Sequence, residues 1–256
     1  MRRYWVNESD IQDNEVIIEG DLLHHLIDVC RLDVGSKFEV LCNRSKAYFV
    51  EMTEVKKRQA RAVIKEERAI APLPKPYIRL AVSVPRFSKL DTIIEKSVEL
   101  GVASVHPFVS EFSFVRKLNK ITQNKRDRWG KVVVAATQQT GRGELMEVQP
   151  PVTLQGILEE FNRSESARGL FFFEGEASLW LPEKMAQLKQ ENFDEIWLFV
   201  GSEGGFSHDE VGQFKAAGLQ PITVGEQILR VETACLALAS IIQYELVMVR
   251  EGAHGN

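Results

Sequence analysis

Two glycine-containing loops, each following a strand-like apolar run, constrain this chain more than any other feature. The first reads Val-Gly-Ser-Glu-Gly-Gly-Phe-Ser over 200–207, and the second reads Val-Gly-Glu-Gln-Ile-Leu-Arg-Val-Glu-Thr-Ala over 224–234. Glycine permits tight turns and close approach of the backbone to a ligand. Loops at the carboxyl ends of strands in an open α/β sheet form the crevice in which small ligands bind. The two loops therefore predict a ligand site, although tight turns and helix caps alone would also account for the glycines.

The sequence changes character at a proline-rich stretch, 69–76, which contains Pro72, Pro74 and Pro76. Proline fixes φ and removes a backbone donor, so this stretch predicts a stiff connector and a domain boundary. Before it, short alternating apolar runs and one helical patch at 24–32 predict a small β-barrel over 1–72. After it, strand-like and helical runs alternate, which predicts a parallel sheet covered on both faces over 73–256.

The predicted strands are 4–6, 15–18, 37–41, 48–55 and 60–64 in the first part, and 78–84, 105–109, 170–173, 196–200 and 221–224 in the second. The helices predicted in the second part end at Gly101, span 122–140 and 181–188, begin at Ser207, and span 233–249. Ser88 with Asp91, and Ser207 with Glu210, have the spacing of N-terminal capping boxes.

Composition is that of a soluble globular protein. The chain has 256 residues, of which 44% are hydrophobic and 27% charged. No run of about eighteen consecutive apolar residues is found, so no membrane span is expected. Three widely spaced cysteines favour the reducing cytoplasm over a disulfide framework. Histidines and cysteines do not occur at metal-ligand spacing, so no metal site is expected.

Charge is unevenly distributed along the chain. The net charge of −4 does not by itself suggest a nucleic-acid partner. Residues 75–142, however, contain 13 Lys/Arg against 5 Asp/Glu, a net of +8, whereas residues 143–256 contain 7 against 18, a net of −11. A local positive block of this size favours contact with a polyanion, the alternative being a solvated helical face that is balanced elsewhere in the fold.

Three classes of ligand compete for the glycine loops. A dinucleotide needs Gly-x-Gly-x-x-Gly at the first strand–helix turn, and a nucleoside triphosphate needs Gly-x-x-x-x-Gly-Lys-Ser/Thr. The glycine loops here come late in the chain, and no Gly-Lys-Ser/Thr occurs. A cationic adenosine-bearing cofactor such as S-adenosylmethionine needs backbone groups for the adenine edge and apolar side chains around the ring. The pairs Val224-Gly225 and Ile228-Leu229 would supply these groups.

Five segments, in order along the chain, resemble the signatures of one family. The first two are His-His-Leu-Ile-Asp-Val-Cys-Arg (24–31) and Glu-Lys-Ser-Val-Glu-Leu-Gly-Val (95–102). They are followed by Arg-Trp-Gly-Lys-Val-Val-Val-Ala-Ala-Thr-Gln-Gln-Thr-Gly-Arg (128–142), Gly-Ser-Glu-Gly-Gly-Phe-Ser (201–207) and Ile-Leu-Arg-Val-Glu-Thr-Ala (228–234). Together the segments resemble the ribosomal RNA small subunit methyltransferase E family, which is of the SPOUT class.

The resemblance implies an α/β fold, a SPOUT-type trefoil-knotted parallel sheet with an N-terminal PUA-like small β-barrel. It implies S-adenosylmethionine as methyl donor and methylation at N3 of a specific uridine in small-subunit (16S) ribosomal RNA. It also implies a cytoplasmic homodimer whose partner is 16S rRNA or the small ribosomal subunit, with no membrane and no metal. Knots are rare in proteins, and the knot is expected only because of the resemblance.

Residue roles are predicted from the loops and the resemblance together. Arg230 is expected to stabilise charge that develops on the uracil, and Glu232 to take the N3 proton or to fix Arg230 bidentately. A structural Arg230–Glu232 ion pair is the alternative, and Glu203 either positions substrate or holds its own loop. The residues predicted to bind the cofactor are Phe173, Val200, Gly201, Gly205, Val224, Gly225, Ile228 and Leu229. The residues predicted to contact RNA are Arg2, Arg3, Arg31, Arg128, Lys131, Gln139 and Arg142.

Three residues depart from the family signatures. Ser202 stands where the family has Pro, Gln227 where it has Arg, and Val231 where it has Thr. The sequence Gly-Ser-Glu-Gly is closer to the SPOUT ribose 2′-O-methyltransferases, which leaves a ribose 2′-hydroxyl open as the target. A non-catalytic RNA-binding protein with a degenerate site is a second alternative.

Overall fold

The computed structural model describes residues 2–43, 45–175 and 179–248. The chain forms two compact units. The first comprises Met1–Pro72 together with Val134–Leu145, and the second comprises Leu73–Val133 and Met146–Asn256. The segment Val134–Leu145 thus belongs to the first unit, although it lies well beyond the proline-rich connector.

The first unit is built on one six-stranded sheet. Its strands are β1 (Arg3–Trp5), β2 (Ile11–Gln12), β3 (Glu15–Ile18), β4 (Lys37–Cys42), β5 (Lys46–Val55) and β6 (Ala60–Ala69). They are ordered β1-β4-β5-β6-β3-β2, with β1 parallel to β4 and the other pairs antiparallel. The core on one face contains Phe38, Val50 and Met52. Strand β6 continues beyond the predicted end at 64 because it stays paired with β5 up to Ala69, where its side chains are exposed and give no alternation signal.

Helix α1 (Gly20–His24) continues as a wider helical turn to Val29 and packs Leu26 into this core. The predicted helix at 24–32 therefore begins too late. Gly20 starts the helix with a φ of +59°, and Arg31 leaves it with a φ of +55°. Glycine and polar residues at these ends carry no apolar periodicity, so the pattern of apolar residues alone places the boundaries wrongly.

Glu39 is a buried carboxylate held by two arginines in the first unit. Its Oε2 accepts a hydrogen bond from Arg3 Nε at 2.8 Å, and its Oε1 accepts one from Arg68 Nε at 2.8 Å. Burial acts to raise the pKa of Glu39, but the hydrogen bonds from Arg68 and Arg3 outweigh burial and hold that pKa below its usual range. Arg3 also donates to the Gln139 carbonyl at 3.2 Å. The cluster therefore joins β1, β4, β6 and the Val134–Leu145 segment within one unit.

We expect Glu39→Gln to lower the free energy of unfolding by about 2 kcal/mol at neutral pH, because two charge-assisted hydrogen bonds are weakened. A carboxyl whose pKa is lowered in the folded state stabilises the fold above the usual Glu pKa of about 4.3, and this contribution is lost as the pH falls through the folded-state pKa. Urea unfolding from neutral pH down to about pH 3 should show a shallower acid loss in the variant.

The matched control is Glu54→Gln, since the half-buried Glu54, whose side chain is 40% exposed, also pairs with two basic side chains, Lys56 at 2.6 Å and Arg61 at 3.9 Å. Its effect should stay below about 0.5 kcal/mol. Equal effects of the two substitutions on the free energy of unfolding at every pH would show that the buried Glu39 cluster stabilises the fold no more than a partly exposed ion pair does.

The second unit is built on a parallel sheet covered by helices. Its strands are β7 (Tyr77–Ser83), β8 (Ser104–Val109), β9 (Glu147–Val148), β10 (Val152–Thr153), β11 (Ala167–Phe172), β12 (Leu179–Trp180), β13 (Glu195–Val200) and β14 (Pro221–Thr223). Its helices are α2 (Phe87–Glu99), α3 (Gln123–Thr140, whose end belongs to the first unit), α4 (Leu154–Asn162), α5 (Leu181–Leu188), α6 (His208–Ala216) and α7 (Val231–Ile242). The strand order is β10-β8-β7-β13-β11-β14-β12, β9 also pairs with β8, and every pair is parallel. The predicted parallel α/β sheet is confirmed.

Two helices of this unit differ from the sequence prediction. Helix α4 was not predicted, although Leu154, Ile157 and Phe161 have helical spacing and Thr153 Oγ1 accepts from Gly156 N at 3.1 Å as the N-cap. Helix α2 begins at Phe87 with Arg86 as N-cap, so the predicted cap at Ser88 is wrong. The capping box of Ser207 and Glu210 at α6 is present as predicted.

Helix α7 begins two residues before the predicted start and continues as a wider helical turn through Met248, while the predicted end at residue 249 lies outside the described residues. The run Val231–Met248 has a mean hydropathy of 1.4 and is long and apolar enough to cross a membrane by length and composition alone, although it contains Glu232 and Glu245. Cys235, Leu238 and Ile242 are buried, and α7 packs against α2, β7 and β13. These contacts are those of a core helix.

Candidate functional site

A cavity of about 250 Å³ lies in the second unit where β13, β11 and β14 end. Its lining comes from the loops that follow these three strands, from Lys89 at the start of α2, and from Ala234 and Leu238 of α7. Because β13, β11 and β14 are neighbouring parallel strands, their carboxyl ends meet at one edge of the sheet. The glycine loops therefore meet at a single site.

All eight residues predicted to bind the cofactor line this cavity, namely Phe173, Val200, Gly201, Gly205, Val224, Gly225, Ile228 and Leu229. The side chain of Ile228 is 77% exposed and that of Val224 is 39% exposed. Apolar surface on the loop after β14 is thus open to a ligand. The contact of these residues with a cofactor stays a prediction.

The loop after β13 needs glycine at two facing positions. A Cβ on Gly201 would lie 3.0 Å from the Cα of Gly205. Gly205 has a φ of +66°, and a Cβ there would lie 2.5 Å from the Glu174 carboxylate. A larger residue is disfavoured by backbone crowding at Gly201 and by the positive φ at Gly205, whereas the Glu174 side chain can move away. The narrow loop brings its backbone to the cavity surface.

The loop after β14 offers backbone groups to a ligand. Within the part of the chain that the structure describes, residues 226–229 make no backbone–backbone hydrogen bond. The preceding turn is fixed by Thr223, whose Oγ1 accepts from Gly225 N at 3.3 Å and donates to the Gly225 carbonyl at 3.0 Å. Available amide and carbonyl groups beside apolar side chains suit a flat heterocycle, which needs hydrogen bonds at its edge and contact on its faces.

Lys89 is a cavity residue that the sequence prediction missed. Its Nζ lies 3.1 Å from Glu232 Oε2 and 3.5 Å from Glu203 Oε1. No local spacing signals this arrangement, because α2 lies far from both carboxylates in sequence and only the sheet topology brings them together. Lys89 therefore pairs with one carboxylate from each of the two glycine loops.

Glu232 and Arg230 occupy the start of α7. The pKa of Glu232 is lowered, first by the hydrogen bond from its own backbone N–H and then by Lys89, against the opposing effect of burial. Arg230 is the N-cap residue, is exposed and lines the cavity. Among the described side chains, Arg230 and Glu232 form no ion pair, and Glu232 pairs with Lys89 instead. The predicted bidentate contact is therefore absent.

Ser202 and Glu203 hold the loop after β13 in place. Ser202 is buried, and its Oγ donates to the Phe112 carbonyl at 2.8 Å. Glu203 Oε1 accepts from the Arg86 backbone N–H at 3.4 Å and lies close to Lys89. The serine that departs from the family signature thus has a local structural role.

The predicted RNA-contact residues of the first unit fall into two groups. Arg2 donates to the Cys30 carbonyl at 3.4 Å, and Arg31 follows Cys30, so these two exposed arginines are near each other. Arg3 is engaged by Glu39. The Arg142 side chain is only 8% exposed, burial lowers the pKa of its guanidinium, and it lies 3.5 Å from Glu144. The Arg142 side chain therefore does not lie on the open surface, as a direct contact with RNA requires.

Along α3, Arg128 and Lys131 are exposed in the second unit, and Gln139 is exposed in the first. Arg128 Nε pairs with Asp91 at 2.7 Å. The contacts of Arg128, Lys131 and Gln139 with RNA stay predictions.

No group of three or more His, Cys, Asp or Glu side chains within residues 2–43, 45–175 and 179–248 is arranged to hold a metal ion.

Two domain families match the chain. The RNA methyltransferase domain matches residues 72–243, and the RNA methyltransferase PUA domain matches residues 18–65. These matches, together with the parallel sheet of the second unit, confirm the predicted α/β SPOUT fold with a PUA-like domain at the N-terminus.

Individual relatives agree with this assignment. The ribosomal RNA small subunit methyltransferase E of Synechocystis is 33% identical, with 93% of this chain and 76% of the relative covered. That of Bacillus subtilis is 28% identical over 98% of this chain and 99% of the relative. The crystal structure of the Neisseria gonorrhoeae protein of the same name, bound to S-adenosyl methionine, superimposes with a TM-score of 0.81 at 27% identity over 95% of this chain and 97% of that chain. The chain belongs to the ribosomal RNA small subunit methyltransferase E family.

Proposed function

We propose that this chain transfers a methyl group from S-adenosylmethionine to N3 of one uridine in 16S ribosomal RNA. The main support for the proposal is the cavity in the second unit. Both glycine loops line it, the backbone groups of 226–229 are available for hydrogen bonds, and Arg230 is part of the lining. Family membership supports the reaction class. The cavity supports a binding site for the methyl donor, and Arg230 in its lining is a cation that can face the acceptor base.

The cavity residues fit the donor by shape and charge. The backbone of 226–229 would bind the adenine edge, and Ile228 and Leu229 would contact the ring. Three acidic residues line the cavity, Glu174, Glu203 and Glu226, against two basic ones. This balance suits a ligand of net positive charge, in which a sulfonium and an ammonium group outweigh one carboxylate.

When bound, S-adenosylmethionine supplies a methyl group already activated by the sulfonium charge. The chain must orient the uracil and favour the deprotonated N3, since the neutral imide nitrogen is a poor nucleophile. We assign to Arg230 the stabilisation of negative charge on O2 or O4 as N3 loses its proton to solvent water, an effect like that of an oxyanion hole. Glu232, with its lowered pKa, is a weak proton acceptor, and we assign it to holding Lys89.

We expect Lys89→Met to lower the rate of methyl transfer about tenfold and to raise the pKa of Glu232, because two facing carboxylates lose their shared cation. Single-turnover methyl transfer with saturating cofactor measures the rate. Lys96→Met on the same helix is the control, since Lys96 also pairs with two carboxylates, Glu95 at 2.9 Å and Glu99 at 2.7 Å, outside the cavity lining. Equal rates of methyl transfer for both variants and the wild type would show that Lys89 takes no part in the reaction.

RNA binding is proposed to depend on the basic stretch and on unstacked bases. The exposed Arg116, Lys117, Lys120, Arg126 and Lys131 lie in the +8 block of the sequence. An A-form helix buries uridine N3 in the base pair, so the target uridine must be single-stranded or flipped out. Affinity should fall steeply with salt concentration if phosphate contacts dominate.

The remaining features implied by the family are proposals as well. A homodimer would cover the exposed Ile241 near the end of α7 and the exposed Tyr244 and Met248 in the helical turn that follows it. In the part of the chain that the structure describes, Cys30, Cys42 and Cys235 form no disulfide, which suits a cytoplasmic protein. A trefoil knot is proposed from the family resemblance, and the return of the chain from β14 to pack α7 on β7 and β13 is compatible with it.

Calorimetric titration with S-adenosylmethionine alone separates an enzyme from a non-catalytic RNA-binding protein. The proposal expects saturable binding at one site per chain. Absence of binding, with RNA binding retained, would favour the degenerate-site alternative. Because Ser202 is explained by its contact with Phe112, the structure gives no separate support to a ribose 2′-O target.

A further inference from the structure

We infer that Phe112 and Phe114 form a stacking platform for an unpaired RNA base next to the target nucleotide. The inference rests on the proposed function and adds a second contact site to it. The loop that carries both side chains follows β8, at the same edge of the sheet as the cofactor cavity. Phe112 is 40% exposed and Phe114 is 56% exposed.

The backbone of this loop is firmly fixed. Ser113 is buried, and its Oγ lies 2.9 Å from Ser83 Oγ and accepts from Ser110 N at 2.8 Å. Phe114 N donates to the Val84 carbonyl at 2.9 Å. Glu111 N donates at 2.7 Å to Glu210, whose carboxylate is itself buried. Two aromatic side chains are thus held open to solvent on a rigid loop, and a preorganised surface binds with little entropic cost.

The loop touches the wall of the cofactor cavity directly. The Phe112 carbonyl accepts from Ser202 Oγ at 2.8 Å, and a Cβ on Gly204 would lie 2.7 Å from the Phe112 Cβ. Ser202 lines the cavity. A nucleotide whose base entered the cavity would therefore have its neighbours along the strand close to Phe112.

The surroundings are cationic, which suits a polyanion rather than a second apolar protein surface. Phe114 packs edge-to-face on Phe87 with ring centroids 6.1 Å apart, and Lys125 Nζ lies 4.7 Å from the Phe87 ring centroid. The exposed basic residues along this part of the chain are Arg86, Arg116, Lys117, Lys120 and Arg126. Aromatic rings interleaved with basic side chains are the usual surface for single-stranded nucleic acid.

The test is a binding cycle with two RNA probes. One is single-stranded oligouridine of about twelve nucleotides, and the other is an abasic ribose-phosphate strand of the same length. Wild-type protein should bind oligouridine about tenfold or more tightly than the abasic strand, and Phe112→Ala/Phe114→Ala should lose most of that difference. Phe112→Tyr/Phe114→Tyr should keep it, whereas Phe112→Leu/Phe114→Leu should not, since leucine is apolar but offers no ring.

Trp180→Ala is the matched control, because Trp180 is an aromatic residue 51% exposed in the same unit and outside the basic stretch. It should bind both probes as the wild type does. S-adenosylmethionine affinity should be unchanged in every variant, which shows that the fold and the cavity are intact. Because binding is read without turnover, the result stands apart from whether uridine N3 is methylated.

Equal affinity of the wild type and the double alanine variant for oligouridine would overturn the inference. So would a variant that keeps its RNA affinity but loses self-association in sedimentation velocity, because the two rings would then belong to an interface between copies. If the wild type binds oligouridine more tightly than the abasic strand but transfers no methyl group, the result would count against the proposed function and not against the stacking platform.

Discussion

Replacing Gly225 by valine is expected to weaken S-adenosylmethionine binding by at least about 100-fold, equivalent to roughly 2.7 kcal/mol. Apart from Gly225 itself and its two chain neighbours, no described protein atom lies within 4 Å of a Cβ built at Gly225, and Gly225 lines the cavity. The valine methyl groups would therefore occupy open space that the proposal gives to the ligand. Calorimetric titration measures the loss, and thermal unfolding shows whether the fold persists.

Gly218→Val separates blocking of the cavity from backbone strain. Gly225 has a φ of +156° and Gly218 a φ of +82°, and neither position has an atom within 4 Å of a Cβ. Gly218 does not line the cavity. It should lose stability without losing cofactor affinity. A Gly225→Val protein that still binds the cofactor like the wild type would move the adenine site away from the loop after β14.

Replacing Arg230 by alanine is expected to lower the turnover number by about 100- to 1,000-fold, the effect of removing one donor from a preorganised anion-stabilising site. Cofactor affinity should change by less than about threefold, because Arg230 is assigned to the uracil and not to the donor. Single-turnover methyl transfer with saturating cofactor measures the first quantity, and titration measures the second.

Arg163→Ala is the control, since Arg163 is exposed at the end of α4 and does not line the cavity. It should keep wild-type turnover. Losses in turnover and cofactor affinity that match in size for Arg230→Ala would reassign Arg230 as a cofactor-binding or structural residue.

The predictable parts of this molecule are those in which the signal is local. Continuous apolar runs identified the buried strands β7, β8, β11 and β13, and glycine at strand ends identified the loops that line the cavity. Ser207 and Glu210 form the predicted capping box because both partners lie within one turn.

The parts that were missed depend on distant partners. Lys89 reaches Glu203 and Glu232 only because the sheet order brings β7, and with it the start of α2, beside β13. Arg3 and Arg142 look like surface cations in the sequence, yet one is engaged by a buried carboxylate and the other is itself buried. Charge alone does not distinguish an arginine that contacts phosphate from one that holds the fold together.

The most direct test of the central claim is mass-spectrometric nucleoside analysis of small-subunit ribosomal RNA after incubation with this protein and methyl-labelled S-adenosylmethionine. We expect one labelled nucleoside, 3-methyluridine, formed by the wild type and strongly reduced in Arg230→Ala. A labelled 2′-O-methyl nucleoside, or no label on free RNA and on small subunits alike, would contradict it.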